Sequence, residues 1–351
     1  MNDIHPVKLL VISSAIAVSA GLATAHAQDA TKPDPMLAAI FAPLPETVVA
    51  ADNPCTPEKV NLGKTLFFDP RLSKSQEISC NSCHNLATFG VDNKQFSSGH
   101  KGQLGGRNSP SVYNAALHFA QFWDGREPTV EAQAKGPVGN PVEMAMPGGD
   151  QVVKVLKSIP DYVAAFAKAF PGEADPVTFD NMARAIGAFE RKLVTPGRWD
   201  KYLAGDVKAI TAEELAGAKT FVTTGCVSCH MGPAVGGMVY QKLGLAKPWP
   251  GLTDKGRGDV VKDPNLNFFF KSPSLRNVAK TAPYLHDGSE TDLATMVKKM
   301  AEFQLGRQLT DADTASIVAF LNCLTGEAPK DLVAAPALPA GTADTPKPDK
   351  T

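Results

Sequence analysis

Two pentapeptides of one pattern constrain this chain more than any other feature: Cys80-Asn-Ser-Cys83-His84 and Cys226-Val-Ser-Cys229-His230. A cysteine pair with two residues between and a histidine directly after is the attachment pattern of c-type haem, in which both thiols form thioethers and the imidazole ligates iron. Zinc sites and redox dithiols also use cysteine pairs. No second pair lies near Cys80 and Cys83, however, and neither of those uses explains the adjoining His84. The chain is therefore expected to fold around two covalently attached c-type haems. After the first cluster, His100 stands in a loop with Gly99, Gly102, Gly105 and Gly106, whose glycines give the backbone freedom to move. The loop lacks the Gly-Lys-Ser/Thr ending of a phosphate-binding loop.

Each cluster follows a helical stretch. Residues 58–68 precede the first, and a capping box, Thr211 with Glu214, opens a helix carrying Leu215, Ala218 and Phe221 on one face before the second. This is the one internal repeat, and it predicts two cytochrome-c-like units. Apolar spacing predicts further helices over 151–170, 179–194, 291–304 (starting at Thr291) and 311–324. No alternating strand pattern stands out, so the expected class is mainly α, with two haem domains and loop-rich connections. The 29 glycines and 28 prolines among 351 residues fit that looped character.

The chain opens with Lys8, an apolar run from Leu9 to Ala23 and Ala25-His26-Ala27, a small-x-small cleavage pattern. The expected division is an export signal over 1–27, a first haem domain over 28–195, a second over 196–326, and an arm over 327–351 that frays or packs back on the first domain. The apolar run is too short to span a membrane, so the mature chain is expected to be soluble and exported. A formal net charge of −1 argues against a nucleic-acid partner. Of six cysteines the clusters use four; Cys55 and Cys323 are left either as a disulfide or as two separate buried thiols.

The sixth iron ligand separates electron transfer from catalysis. At the second haem, Met300 is a candidate, although Met296, Met300 and Phe303 also fit an ordinary core stripe. At the first, His100, Met144 and Met146 are candidates, with a solvated His100 as the alternative. Glu143, in a proline-bounded loop, is a candidate acid/base or a solvated carboxylate, and Trp123 reads more simply as core.

The order LGKTLFFDPRLS, CNSCH, GRNSPSVYNAA, QFWDGR, GPVGNPVEM, GCVSCH, SPSLRNVAKTAPYLHDGS and MAEFQLG, over roughly residues 58 to 326, closely resembles the bacterial di-haem cytochrome c peroxidases. That resemblance implies reduction of hydrogen peroxide to water in the periplasm, with electrons from a small cytochrome c or cupredoxin, by a homodimer. It implies His84 as proximal and His100 as removable distal ligand of the peroxidatic haem, Glu143 as acid/base with Gln133 beside it, and Trp123 between the haems. It further implies His230 and Met300 as ligands of the electron-transferring haem, and a calcium site of Asn108 with the backbone carbonyls of Thr281 and Pro283. The MauG-like branch, which oxidises a partner protein, carries tyrosine where this chain has Met300. A di-haem carrier without turnover would account for neither Glu143 nor the setting of His100.

Overall fold

The computed structural model describes residues 31–351, so the expected export signal lies outside the described residues. Helices follow in the order α1 (Pro35–Ile40), α2 (Pro57–Phe68), α3 (Cys80–Cys83), α4 (Val130–Gly139), α5 (Gly149–Lys157), α6 (Pro160–Ala169), α7 (Phe179–Glu190), α8 (Arg198–Leu203), α9 (Ala212–Thr224), α10 (Arg257–Val261), α11 (Leu293–Leu305), α12 (Asp311–Cys323) and α13 (Lys330–Val333). The strands β1 (Tyr240–Lys242) and β2 (Phe269–Lys271) form a two-stranded antiparallel ribbon, with Tyr240 opposite Lys271. The class is mainly α.

Each haem cluster sits beside a crossed helix pair built to one recipe. In α2, Gly63 meets α7 so closely that a Cβ there would stand 1.9 Å from the Ala185 carbonyl oxygen; in α9, a Cβ on Gly217 would stand 1.9 Å from that of Ser316 in α12. One turn further on, Phe67 packs on Phe189 with ring centroids 5.4 Å apart, and Phe221 on Phe320 at 5.3 Å. The same glycine and phenylalanine pairing in both halves gives the repeat a packing basis: only glycine lets the two backbones touch there. Gly217→Ala is expected to cost about 1–3 kcal/mol, the usual range for forcing atoms into a packed contact, read as a lower denaturant midpoint.

Two hydrophobic cores follow from these pairs. The first holds Leu66, Phe67, Tyr162, Phe166 and Phe189, and the second Trp199, Phe221, Phe320 and Leu321. Leu37 and Phe41, at 0% and 4% exposure, belong to the second core. The segment that begins the 28–195 span thus packs with the later unit: Phe41 fills an aromatic cluster against Trp199, their ring centroids 5.6 Å apart.

Other differences have local causes. The helix expected over 151–170 is broken into α5 and α6, because Pro160 holds Ile159 in extended backbone. Helix α11 is capped by Asp292 rather than Thr291, its carboxylate accepting the Thr295 amide at 2.7 Å. The Thr211 and Glu214 capping box is present, with reciprocal bonds of 3.2 and 2.8 Å. Cys55 packs against the first core and Cys323 lies inside the second, so they are separate free thiols and not a disulfide.

Residues 328–351 run back over the first unit. Ala328, Leu332 and Val333 pack on its core, Gln76 Nε2 donates to the Pro346 carbonyl (2.8 Å), the Asp349 amide donates to the Lys74 carbonyl (2.9 Å), and Lys350 pairs with Glu77. Among the described residues no helix is long and apolar enough to cross a membrane.

Candidate functional site

Two cavities lie beside the haem clusters. The first, of about 510 Å³, is lined by Cys80, Cys83, His84, Gln133, Glu143 and Trp123, among others. Its cluster is set by α3, whose amino end is closed by Ser82 Oγ accepting the Ser79 amide at 3.0 Å. His84 caps α3, its amide donating to the Cys80 carbonyl at 2.9 Å. Its Nδ1 lies 3.0 Å from the Pro110 carbonyl. With that nitrogen donating, Nε2 is the free coordinating atom, and burial lowers the pKa so that the ring is the neutral ligand form.

Glu143 reaches this cavity from the turn after α4. Pro137 stands inside that helix, and Asn140 caps it and donates from Nδ2 to Glu143 Oε1 at 2.8 Å. Burial raises the Glu143 pKa, against opposing effects from Arg126 and Asn140. A carboxyl so placed is suited to hold and release a proton inside a cavity. Gln133 enters the same wall from α4.

His100 does not line this cavity. Its side chain is buried, with Nε2 3.3 Å from the Thr351 backbone oxygen and Nδ1 without a hydrogen-bond partner. The loop itself lies on the Glu143 segment: the His100 amide donates to the Glu143 carbonyl (2.8 Å), and a Cβ on Gly99 would stand 2.0 Å from the Val142 oxygen. Of the expected first-site residues, the structure therefore brings together Cys80, Cys83, His84, Gln133, Glu143 and Trp123, and sets the His100 ring away from that wall, against Thr351.

The second cavity, of about 240 Å³, is lined by Cys226, Cys229, His230 and Met300 together with apolar side chains such as Phe221, Leu275 and Leu321. Burial holds His230 at about 4 and so neutral. Met300 shares a wall with Met296, so the ligand and core-stripe readings describe neighbouring positions on α11. Both cavities fit haem by their donor sets: two thiols and a neutral imidazole in each, with a thioether on the wall of the second. Burial pushes Cys80 and Cys226 up to about 12, so both stand as neutral thiols. Among the described residues no group of three or more His, Cys, Asp or Glu is placed to hold a bare metal ion.

Trp123 and Asn108 line both cavities. The Trp123 Nε1–H donates to the Asn108 carbonyl at 2.9 Å, and the Trp123 carbonyl accepts the Lys271 amide at 2.8 Å. Asn108 Nδ2 donates to the Lys94 carbonyl at 2.8 Å, and Thr281 and Pro283 share the second cavity's wall with it. On the first cavity's wall, Arg107 ties the halves together, paired with Asp124 at 2.5 Å and with Asp254 at 2.6 Å.

Among the polar side chains in these walls that sequence reasoning missed are Glu190, His118 and Lys271. Burial pushes Glu190 up to about 8, so it is largely protonated at neutral pH. Its signal was legible, as an acid set among Ile186, Phe189 and Leu193 in an apolar stripe. His118 and Lys271 carried none.

Residues 57–208 match the family model described as di-haem cytochrome c peroxidase, and residues 215–325 match that of cytochrome c. The chain is 48% identical over 316 residues to the cytochrome c551 peroxidase of Pseudomonas aeruginosa, covering 88% of this chain and 90% of that one. It is 46% identical over 311 residues to the cytochrome c551 peroxidase of Nitrosomonas europaea, covering 86% and 92%. Among solved structures, a MauG-like protein associated with microbial copper homeostasis superposes with a TM-score of 0.72 at 28% identity, covering 84% of this chain and 95% of that one. With paired cysteines and histidines on two cavities, and close relatives matched along nearly their whole length, this chain belongs to the di-haem cytochrome c peroxidase family.

Proposed function

We propose that this chain is a periplasmic peroxidase that reduces hydrogen peroxide to water with electrons taken from a small redox protein, a c-type cytochrome or a cupredoxin. The observation that carries the reading is Glu143, a buried carboxyl with a raised pKa on the wall of the cavity that holds Cys80, Cys83 and His84. When bound, the two haems supply the electrons and the iron centre at which peroxide is cleaved. Cys80, Cys83 and His84 would hold the first, and Cys226, Cys229, His230 and Met300 would hold the second. Glu143, with Gln133 beside it, accepts a proton from the incoming peroxide and returns it to the departing oxygen, a transfer to which a carboxyl with a burial-raised pKa is suited.

His100 serves as the removable ligand of the first site. Its position against Thr351, with the loop backbone still bonded to Glu143, is the arrangement that leaves the cavity clear. Trp123 stands between the two sites and passes electrons from the second to the first. Asn108 with the Thr281 and Pro283 carbonyls supplies the oxygen-rich set that calcium prefers, in a homodimer as the family resemblance implies.

Met300 favours this reading over a MauG-like oxidase of partner proteins, since that branch carries tyrosine at the matching position. Glu143 favours it over a plain electron carrier. The test is to supply the two-haem protein with a reduced small c-type cytochrome and then add hydrogen peroxide. Cytochrome oxidation that depends on peroxide supports the proposal; oxidation that ignores peroxide rejects it.

A further inference from the structure

Lys271 ends β2 and sits on the wall of the second cavity, only 7% exposed. Its Nζ meets His118 Nδ1 at 2.8 Å. A lysine ammonium has three donors, and His118 can accept only one through that nitrogen. With Lys271 donating there, the ring proton resides on His118 Nε2, which is itself buried and without a hydrogen-bond partner. The neighbouring Ser272 Oγ, on the same cavity wall, is likewise buried and unpartnered.

No carboxylate offsets this group. Desolvation is the sole cause that lowers Lys271 to about 8, and the charge of Lys271 helps burial to hold His118 neutral. A buried cation without a counter-charge is costly, whereas one facing an anion across a cavity is satisfied. The site thus presents surplus donors on the wall that Cys226, Cys229, His230 and Met300 share. An anion of matching chemistry is the missing partner.

We propose that Lys271, oriented by His118 and flanked by Ser272, anchors a carboxylate of the second haem. The inference rests on the reading that the second cavity holds that haem. The Lys271 amide donates to the Trp123 carbonyl, so the anchor and a residue that lines both cavities are joined by one backbone hydrogen bond. Lys271 is in this sense a positioning residue. It sets where the electron-transferring group lies relative to Trp123, and its charge favours the reduced state of that group.

The test is spectroelectrochemical titration of the second haem in the intact two-haem protein and in Lys271→Met and Lys271→Arg variants. Haem content is measured first, since a chain with only one haem overturns the reading of the cavity rather than the role of Lys271. Methionine fills the lysine volume without charge, so removing the cation beside the carboxylate lowers the reduction equilibrium constant by about tenfold or more, about 59 mV for one electron. Arginine keeps the charge and is expected to hold the potential near the wild-type value. An unchanged potential in Lys271→Met, or equal shifts in the two variants, overturns the proposal. A free inorganic anion is the other source of a counter-charge. If the wild-type potential moves with chloride or phosphate concentration at fixed ionic strength, and Lys271→Met loses that response, the anion is free and the carboxylate assignment is overturned; no response is expected.

Discussion

Glu143→Gln is expected to lower peroxide turnover by roughly 10²–10⁴-fold, the range for loss of a positioned acid or base, while both haems remain attached and ligated. Glutamine keeps the size of the side chain and its carbonyl can still accept from Asn140 Nδ2, so the 2.8 Å contact that orients the group survives. The main-chain bond from the His100 amide to the Glu143 carbonyl is untouched. What is lost is the proton shuttle alone. Steady-state turnover, read beside the optical spectra of both haems, checks this. Unchanged turnover would remove Glu143 from the chemistry, and turnover lost together with the first haem spectrum would make its role structural.

Arg276→Ala is expected to destabilise the fold by about 3–5 kcal/mol, the usual cost of stranding one member of a buried ion pair. The guanidinium is fully buried and grips Asp200 at 2.8 and 2.9 Å, while its Nε donates to the Pro233 carbonyl at 2.8 Å. Asp200 also accepts the Leu44 and Gly197 amides, both at 2.7 Å. One carboxylate thus gathers the amino-terminal segment, the start of α8 and the strand-to-loop segment beside the second cavity. Losing the arginine leaves a buried charge with only two amides to hold it. Chemical denaturation checks the prediction, and Asp200→Asn added to Arg276→Met should recover part of the loss, because the double change leaves no unpaired charge.

What was legible in the sequence was what chemistry writes locally. The haem clusters are covalent motifs of five residues, and the capping box of Thr211 and Glu214 closes within one turn, so both could be read without knowing the fold. Gly63 and Gly217 were visible only as ordinary glycines in helical stretches; their role appears when α7 and α12 cross them. The break at Ile159 was in principle legible, since a proline restricts the residue before it, but the apolar period ran straight through it.

The remainder depends on distant residues. Leu37 and Phe41 carry no mark that sends them to the second core rather than the first. Cys55 and Cys323 each suit an apolar site, and only the fold places those sites in different cores. The placement of the His100 ring depends on a segment some 250 residues later in the chain. Lys271 would pass as a solvated strand end, because its burial comes from the ribbon with Tyr240–Lys242 and from His118, which no periodicity links to it.

The central claim is that the two sites act together as a peroxidase, and its most direct measurement is the stoichiometry of electron consumption. The holoprotein is mixed with excess reduced small cytochrome c, measured amounts of hydrogen peroxide are added, and the cytochrome oxidised is followed by absorbance. Reduction of one peroxide to two waters consumes two electrons, so the account predicts two equivalents of cytochrome oxidised per peroxide, at a rate that Glu143→Gln suppresses. Cytochrome that equilibrates with the two haems and then stops, with no further oxidation on adding peroxide, would contradict it and leave an electron carrier.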